Sequence, residues 1–378
     1  MSRYATVPLR RVARFAYGDS LAAEERRDGD VRVYGSNGPV GVHDTPNTLA
    51  PVVVIGRKGS FGKVQFSTTP VFAIDTTYFV DARHTSADLR WLFYALSTMG
   101  LDELSQDVGV PGLARESAYP LPISRPPRES QAPIADYLDA ETARIDKMVL
   151  AHRRMIELLL ERRSAFISNA VESGQSTRVR RVISMCTSGP RGWGDLVTDV
   201  GSMFIRSANL TRASIHIVND GMACVPPQAT PEANRSRVRA GDVLVAITGA
   251  NTGWVGVADA AHEGAFVSQH VAILRPANID PEWLGYSLAS DRGQRALLGS
   301  QYGGTKTQLG LEDLRELEIR VPDREMQRAA LGAVRHVEVV TQQVVGVTLR
   351  QIDLLLERRQ ALITAAVTGQ LDIPGVAA

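Results

Sequence analysis

Cysteine is nearly absent: the 378-residue chain has two, Cys186 and Cys224. Two thiols build no disulfide framework, and their spacing is not that of a metal site. A cytoplasmic location is expected, because a reducing compartment suits so few thiols. Net charge is equally lacking, at +1. No global field draws the chain to nucleic acid, so any such binding has to come from local basic patches. No apolar run reaches membrane-spanning length, and the opening Met1-Ser2-Arg3-Tyr4-Ala5 has no signal-peptide core. Catalytic signatures are missing too. Gly56 to Lys63 is not a P-loop, since Arg57 stands where its first glycine belongs and Val64 where Ser or Thr must follow Lys63. No dinucleotide fingerprint, Asn-Pro-Pro-aromatic methylase motif or HExxH metal motif occurs; Val225-Pro226-Pro227-Gln228 lacks both flanking residues of the methylase form. The chain is therefore expected to be non-catalytic and to bind no metal or cofactor of its own.

What is present is a duplication. Leu158-Leu159-Leu160-Glu161-Arg162-Arg163 recurs as Leu354-Leu355-Leu356-Glu357-Arg358-Arg359. The same offset carries Gln131 to Gln327, Pro126 to Pro322, Ile123 to Ile319, Leu121 to Leu317 and Leu113 to Leu309. A register held over that span marks an internal repeat. Each copy lies in a long helical pattern opened by proline, at Pro126-Pro127 and at Pro322. Apolar residues fall in heptad-like steps at Ile145, Val149, Ile156, Leu159, Phe166 and Ala170, interrupted by His152 and Arg163. The second seam reads Val345, Ile352, Leu355, Leu362 and Ala366, interrupted by Thr341, Thr348 and Arg359. Such stripes seek partner helices, and the duplication supplies one within the chain. Roughly 40 residues at ~1.5 Å each make rods about 60 Å long.

The rest is globular in composition, with 44% apolar and 22% charged residues. The spacing predicts a strand at Val52–Ile55 leading into the glycine loop Gly56-Arg57-Lys58-Gly59-Ser60-Phe61-Gly62-Lys63, then a strand over Phe72–Val80. A helix over Ser86–Met99 carries Trp91-Leu92-x-Tyr94-x-Leu96. In the second half Ala240–Gly249 is a turn, a buried strand and another glycine loop. Val267–Leu274 is the next strand, and Trp283-Leu284-x-Tyr286-x-Leu288 repeats the tryptophan helix. Both tryptophans are expected in the core. Leu9-Arg10-Arg11-Val12 returns as Val179-Arg180-Arg181-Val182. The expected organisation is two α/β (α+β) globules, 1–126 and 175–322, each followed by a long helical segment, 127–174 and 323–372. The two helical segments are expected to pair as an antiparallel intramolecular coiled coil.

On these residues the chain resembles the specificity subunit of type I restriction–modification systems over essentially its whole length. The matching pieces are Tyr34-Gly35-Ser36-Asn37-Gly38, Ile55-Gly56-Arg57-Lys58-Gly59 with Gly62-Lys63-Val64, Asp75-Thr76-Thr77-Tyr78, Gly303-Gly304-Thr305, and Glu357-Arg358-Arg359 through Thr368-Gly369-Gln370. The resemblance implies two target-recognition domains on double-stranded DNA, separated by two antiparallel helices. It also implies two methyltransferase subunits and, in the full complex, restriction subunits. S-adenosylmethionine, ATP and magnesium would then reside on those partners. One departure is visible: Val108-Gly109-Val110-Pro111-Gly112-Leu113 stands where the second half has Gly303-Gly304-Thr305-Lys306-Thr307-Gln308-Leu309.

Two unlike reading heads on a rigid spacer suit a bipartite, asymmetric target. Each head needs phosphate contacts for position and base-edge contacts for sequence. In the first head the expected contacts are Arg57, Lys58 and Lys63 on the glycine loop, Ser36 and Asn37 on a turn, and Thr76, Thr77 and Tyr78. In the second they are Arg206, Asn209 and Arg212; Thr248, Asn251 and Thr252; Ser268, Gln269 and His270; and Lys306, Thr307 and Gln308. Glu161, Arg162 and Arg163, with Glu357, Arg358 and Arg359, are expected to dock methyltransferase subunits or to pair the helices. Two other functions remain open on sequence: a coiled-coil scaffold carrying two protein-interaction modules without DNA, and an autonomous DNA-modifying enzyme.

Overall fold

The computed structural model describes residues 3–104, 112–227, 230–299 and 308–376. It divides into two compact units, one of Met1–Arg153 with Thr348–Ala378 and one of Arg154–Val347. Two long helices, Arg128–Ala170 and Arg324–Thr368, contribute residues to both units. Among the described residues no helix is long and apolar enough to cross a membrane.

In the first unit a four-stranded antiparallel sheet has the spatial order Ala16–Tyr17, Thr77–Val80, Val52–Gly56, Val64–Ser67. Its central strand is apolar at every position because both faces are covered. Alternate side chains go opposite ways: Val53 and Ile55 join the main core with Trp91, while Val52 and Val54 pack with Tyr34 and Phe79. A three-stranded sheet has Val31–Gly35 between Gly38–His43, antiparallel, and Phe72–Ala73, parallel. A two-stranded ribbon, Thr6–Pro8 with Pro122–Ser124, closes the globule.

The second unit has the same plan. Its four-stranded order is Ile183–Ser188, Val271–Pro276, Val243–Ala246, Val255–Val257. Val243 and Val245 face the core of Trp283, and Leu244 and Ala246 face a second cluster. Ser202–Ile205 sits between Ala223–Val225, antiparallel, and Phe266–Val267, parallel. Gln175–Arg178 pairs with Glu318–Val321.

Two strand expectations need correction. Phe72–Val80 is two strands in different sheets, Phe72–Ala73 and Thr77–Val80, with a turn between them. The single strand expected at Val267–Leu274 divides the same way, into Phe266–Val267 and Val271–Pro276. Neither turn carries glycine or proline, so the apolar run hides the break. The tryptophan helices span Leu89–Leu96 and Pro281–Ala289, the first shorter than its pattern. The side chain of Asp88 caps the first by accepting from Arg90 and Trp91, and that of Asp280 caps the second by accepting from Glu282. Trp91 and Trp283 are wholly buried.

The repeated glutamines do the same work in each unit. Gln131 Oε1 accepts from the Asp88 N–H at 2.8 Å, and its Nε2 donates to the Pro126 carbonyl at 3.1 Å. Gln327 accepts from the Asp280 N–H at 3.0 Å and donates to the Pro322 carbonyl at 2.9 Å. Each buried amide thus ties the start of a long helix to the cap of the tryptophan helix. The first long helix tolerates Pro133 inside its opening turns.

Along the long helices the buried stripe differs from the expected seam at one end. Ile145 and Val149 are buried, but Phe166 is exposed and Ile167 takes its place in the core. Thr341 and Thr348, which interrupt the second seam, are themselves buried, as are Ile352 and Ala366. Within the first unit Arg359 Nε donates to Asp146 Oδ1 at 3.0 Å. Within the second, Arg163 Nη2 donates to Glu338 Oε1 at 2.8 Å. Each bond joins one long helix to the other.

Candidate nucleic-acid interface

The first glycine loop leaves the end of Val52–Gly56 and turns through Gly59 and Gly62, both with positive φ. A side chain at Gly62 would sit 2.2 Å from the Asp102 nitrogen, so only glycine fits. The loop's first residues are clamped from two sides. The Arg57 N–H donates to the Thr76 carbonyl at 2.8 Å, and the Leu113 N–H donates to the Arg57 carbonyl at 2.8 Å. Lys58 forms a β-bridge with Gly112. Lys63 Nζ donates to Asn37 Oδ1 at 2.5 Å, which brings the turn of Ser36 and Asn37 to the same loop. Arg57, Lys58, Lys63, Ser36, Asn37 and Thr76 therefore form one cluster, with Asn37, Lys58 and Lys63 exposed.

The second unit repeats this crossing bond for bond. The Ile247 N–H donates to the His270 carbonyl at 2.9 Å, and the Leu309 N–H donates to the Ile247 carbonyl at 2.9 Å. Thr248 forms a β-bridge with Gln308. By these bonds Thr248 takes the place of Lys58, His270 that of Thr76, and Gln308 that of Gly112. Thr248 Oγ1 lies 2.5 Å from His270 Nδ1, and Gln269 Nε2 lies 3.1 Å from His270 Nε2. Thus Thr248, Gln269, His270 and Gln308 present hydroxyl, imidazole and amide groups where the first unit presents cations. Asn251 Nδ2 donates to the Ser207 carbonyl at 3.0 Å and ties the glycine loop to the turn after exposed Arg206.

Five expected contacts are corrected by burial. Thr77 is wholly buried and donates its hydroxyl to the Ile74 carbonyl at 2.7 Å. Tyr78 is buried and donates to the Leu113 carbonyl at 3.0 Å. Burial, with the neighbouring Tyr17, pushes the Tyr78 phenol up to about 12 against the opposing charge of Arg57. Asn209 accepts from the Arg206 N–H and donates to the Val218 carbonyl. Thr252 donates to the Gly249 carbonyl at 2.6 Å, and Ser268 is buried under its loop. These groups hold loops in shape from behind. Arg212 is exposed but lies elsewhere, beside a cavity of about 320 Å³ lined also by Arg163, Ile167 and Tyr286. Lys306 and Thr307 fall outside the described residues, as do Gly303-Gly304-Thr305 and Val108 to Pro111.

The helical triplets also divide. Glu161, Arg162, Glu357 and Arg358 are exposed, whereas Arg163 and Arg359 are drawn into the bonds to Glu338 and Asp146. Arg163 and Arg359 are therefore withdrawn as docking residues, because their guanidinium groups already serve the helices. Two residues of the first unit escaped sequence reasoning. They are Tyr17 and Arg115: the guanidinium groups of Arg57 and Arg115 both lie over the Tyr17 ring. They lie far apart in the chain, and neither belongs to a motif. Among the described residues no cluster of His, Cys, Asp and Glu could hold a metal ion.

No protein-family model and no curated protein matches the chain. Solved structures do. A chain from a structure described as the basis of complex assembly and conformational transition of the type I R-M system aligns at TM-score 0.73 and 15% identity, covering 97% of this chain and 98% of that one. The HsdS subunit from Thermoanaerobacter tengcongensis aligns at TM-score 0.52 and 15% identity, covering 97% of each. The chain therefore has the fold of the specificity (S, or HsdS) subunits of type I restriction–modification systems, along nearly its whole length.

Proposed function

We propose that the chain is the DNA-specificity subunit of a type I restriction–modification complex. Residues 1–126 and 175–322 act as two target-recognition domains on a bipartite, asymmetric duplex target. The helical segments 127–174 and 323–372 act as an antiparallel coiled-coil spacer between them. Two methyltransferase subunits dock on the chain, restriction subunits join in the full complex, and those partners carry S-adenosylmethionine, ATP and magnesium. The chain itself supplies the address and no chemistry.

One observation carries this reading. The same backbone crossing occurs in both units, but Arg57, Lys58 and Thr76 occupy it in one, and Ile247, Thr248 and His270 in the other. A shared frame with different side chains is what two readers of different half-sites require. The loop cations would set position on phosphates, and the amide, hydroxyl and imidazole groups would read base edges. The bonds Arg163–Glu338 and Arg359–Asp146 support the helix pairing.

Methylome sequencing of cells with and without the gene tests the reading. A gapped, asymmetric methylated motif that vanishes with the gene is expected. Exchange of residues 1–126 for the matching segment of a relative should change one half of that motif. A methylome indifferent to the gene would refute the proposal.

A further inference from the structure

We propose that Arg57, Tyr17 and Arg115 form a clamp for a backbone phosphodiester at the edge of the first glycine loop. The inference rests on the reading of the chain as a DNA binder. It assigns two residues, Tyr17 and Arg115, that neither the motifs nor the resemblance marks.

Two guanidinium groups gather over one tyrosine ring. The guanidinium carbon of Arg115 lies 4.2 Å from the centroid of the Tyr17 ring, and that of Arg57 lies 4.8 Å from it. Tyr17 as a residue remains 44% exposed. Two cations on one ring repel each other, and each cation–π contact at such a site returns only ~0.5–1 kcal/mol. Among the described residues no carboxylate comes within 4.0 Å of either guanidinium. Each group spends one Nη1 donor on a main-chain carbonyl, Arg57 on Asp75 and Arg115 on Phe15, both at 3.1 Å. A guanidinium has five donors, so among the described residues each fork keeps donors beyond its one main-chain bond. Two adjacent guanidinium groups with further donors suit an anionic ligand.

The site is also held ready. Both main-chain groups of Arg57 are bonded, to Thr76 and to Leu113. The Phe15 N–H donates to Tyr119 Oη at 3.0 Å, and the Tyr17 and Tyr78 rings lie 5.1 Å apart. A ligand meets arms that are already placed, which lowers the ordering cost of binding. The anion is a phosphodiester of a nucleic acid, because exposed Lys58 continues the positive charge along the same loop. An isolated phosphate needs no such extension.

The test is fluorescence anisotropy of the full chain with a random duplex of about 30 base pairs across a salt series. Arg115→Gln is expected to lower the slope of log K against log salt by about 1 and to weaken binding equally for duplexes of different sequence. Arg115→Lys keeps the charge and should restore the slope, which separates the clamp from a folding defect. Tyr17→Leu should weaken binding, while Tyr17→Phe should retain it. A wild-type chain that binds with a salt-dependent slope unchanged by Arg115→Gln overturns the clamp alone. A wild-type chain with no salt-dependent binding overturns the DNA reading and the clamp together. Displacement of the duplex when phosphate replaces chloride at equal ionic strength would show a free-phosphate site and overturn the assignment.

Discussion

Tyr286 Oη donates to Glu338 Oε2 at 2.5 Å, joining the tryptophan helix of the second unit to its long-helix segment. The other oxygen of the same carboxylate takes the Arg163 bond. Burial raises the Tyr286 phenol well above its ordinary value, and the Glu338 charge adds to the shift. Glu338→Ala would strand both partners in a largely buried place and should cost about 2 kcal/mol of unfolding free energy, with Tyr286→Phe costing about 1 kcal/mol. Urea denaturation of the variants measures both. Equal stability of Glu338→Ala and wild type would show the network to be idle.

Arg162 and Arg358 make the opposite prediction. Their side chains are exposed while their neighbours Arg163 and Arg359 are engaged. The double variant Arg162→Ala/Arg358→Ala should keep the wild-type melting temperature and lose co-purification with the methyltransferase subunits. Arg163→Ala should lower the melting temperature. A reversal of these two outcomes would remove the exposed pair from docking.

Gln131 and Gln327 are predicted to be equivalent in cost. Replacing either by Leu keeps the bulk but leaves an N–H and a carbonyl without partners. Each change should destabilise by about 1–3 kcal/mol. Denaturation of the two variants side by side checks this; a large cost in one and none in the other would deny their equivalence.

Asp81 predicts an acid-sensitive step. Its side chain is wholly buried. Burial by itself pushes the carboxyl up, but hydrogen bonds from Arg83 and from the Leu49 and Arg83 N–H groups outweigh it and hold the group down to about 2. A carboxyl depressed on folding stabilises the native state above its ordinary value near 4 and loses that contribution as pH falls toward 2. The loss is about 2 kcal/mol. Circular dichroism titration between pH 5 and pH 2 should show it, and Asp81→Asn should flatten that interval. An identical acid profile in the variant would exclude Asp81 as the cause.

The two units should answer differently to substitution at the shared crossing, Lys58 in one and Gln308 in the other. Lys58→Ala should weaken all duplexes alike and reduce the salt slope by about 1. Gln308→Ala should leave the slope unchanged and relax discrimination at one base pair, worth ~1–3 kcal/mol. Anisotropy titrations with single-base variants of the target distinguish these. A sequence-independent effect at Gln308 would assign it to the backbone instead.

Much of the architecture was legible in the chain because its signals are local. The continuous apolar runs Val52–Ile55 and Val243–Ala246, the repeated tryptophan helices and the duplicated glutamines each read within a few residues. The strand breaks at Ile74–Thr76 and Ser268–His270 were not legible, since apolar flanks conceal turns made without glycine or proline. Phe166 and Ile167 exchange places for a similar reason: both are apolar, and only the packed neighbours decide which one turns inward.

For the interface, composition along the chain determined which loops carry cations, amides and hydroxyls, and the repeat determined that they come in two sets. Tertiary structure decided which of those groups face solvent. Thr77, Tyr78 and Asn209 look like readers in sequence but are spent on carbonyls and N–H groups inside the fold, whereas Tyr17 and Arg115 meet across nearly the whole first globule. The physical reason is that a buried polar group must find a partner, and the partner is set by chain segments brought together from afar, which no local pattern records.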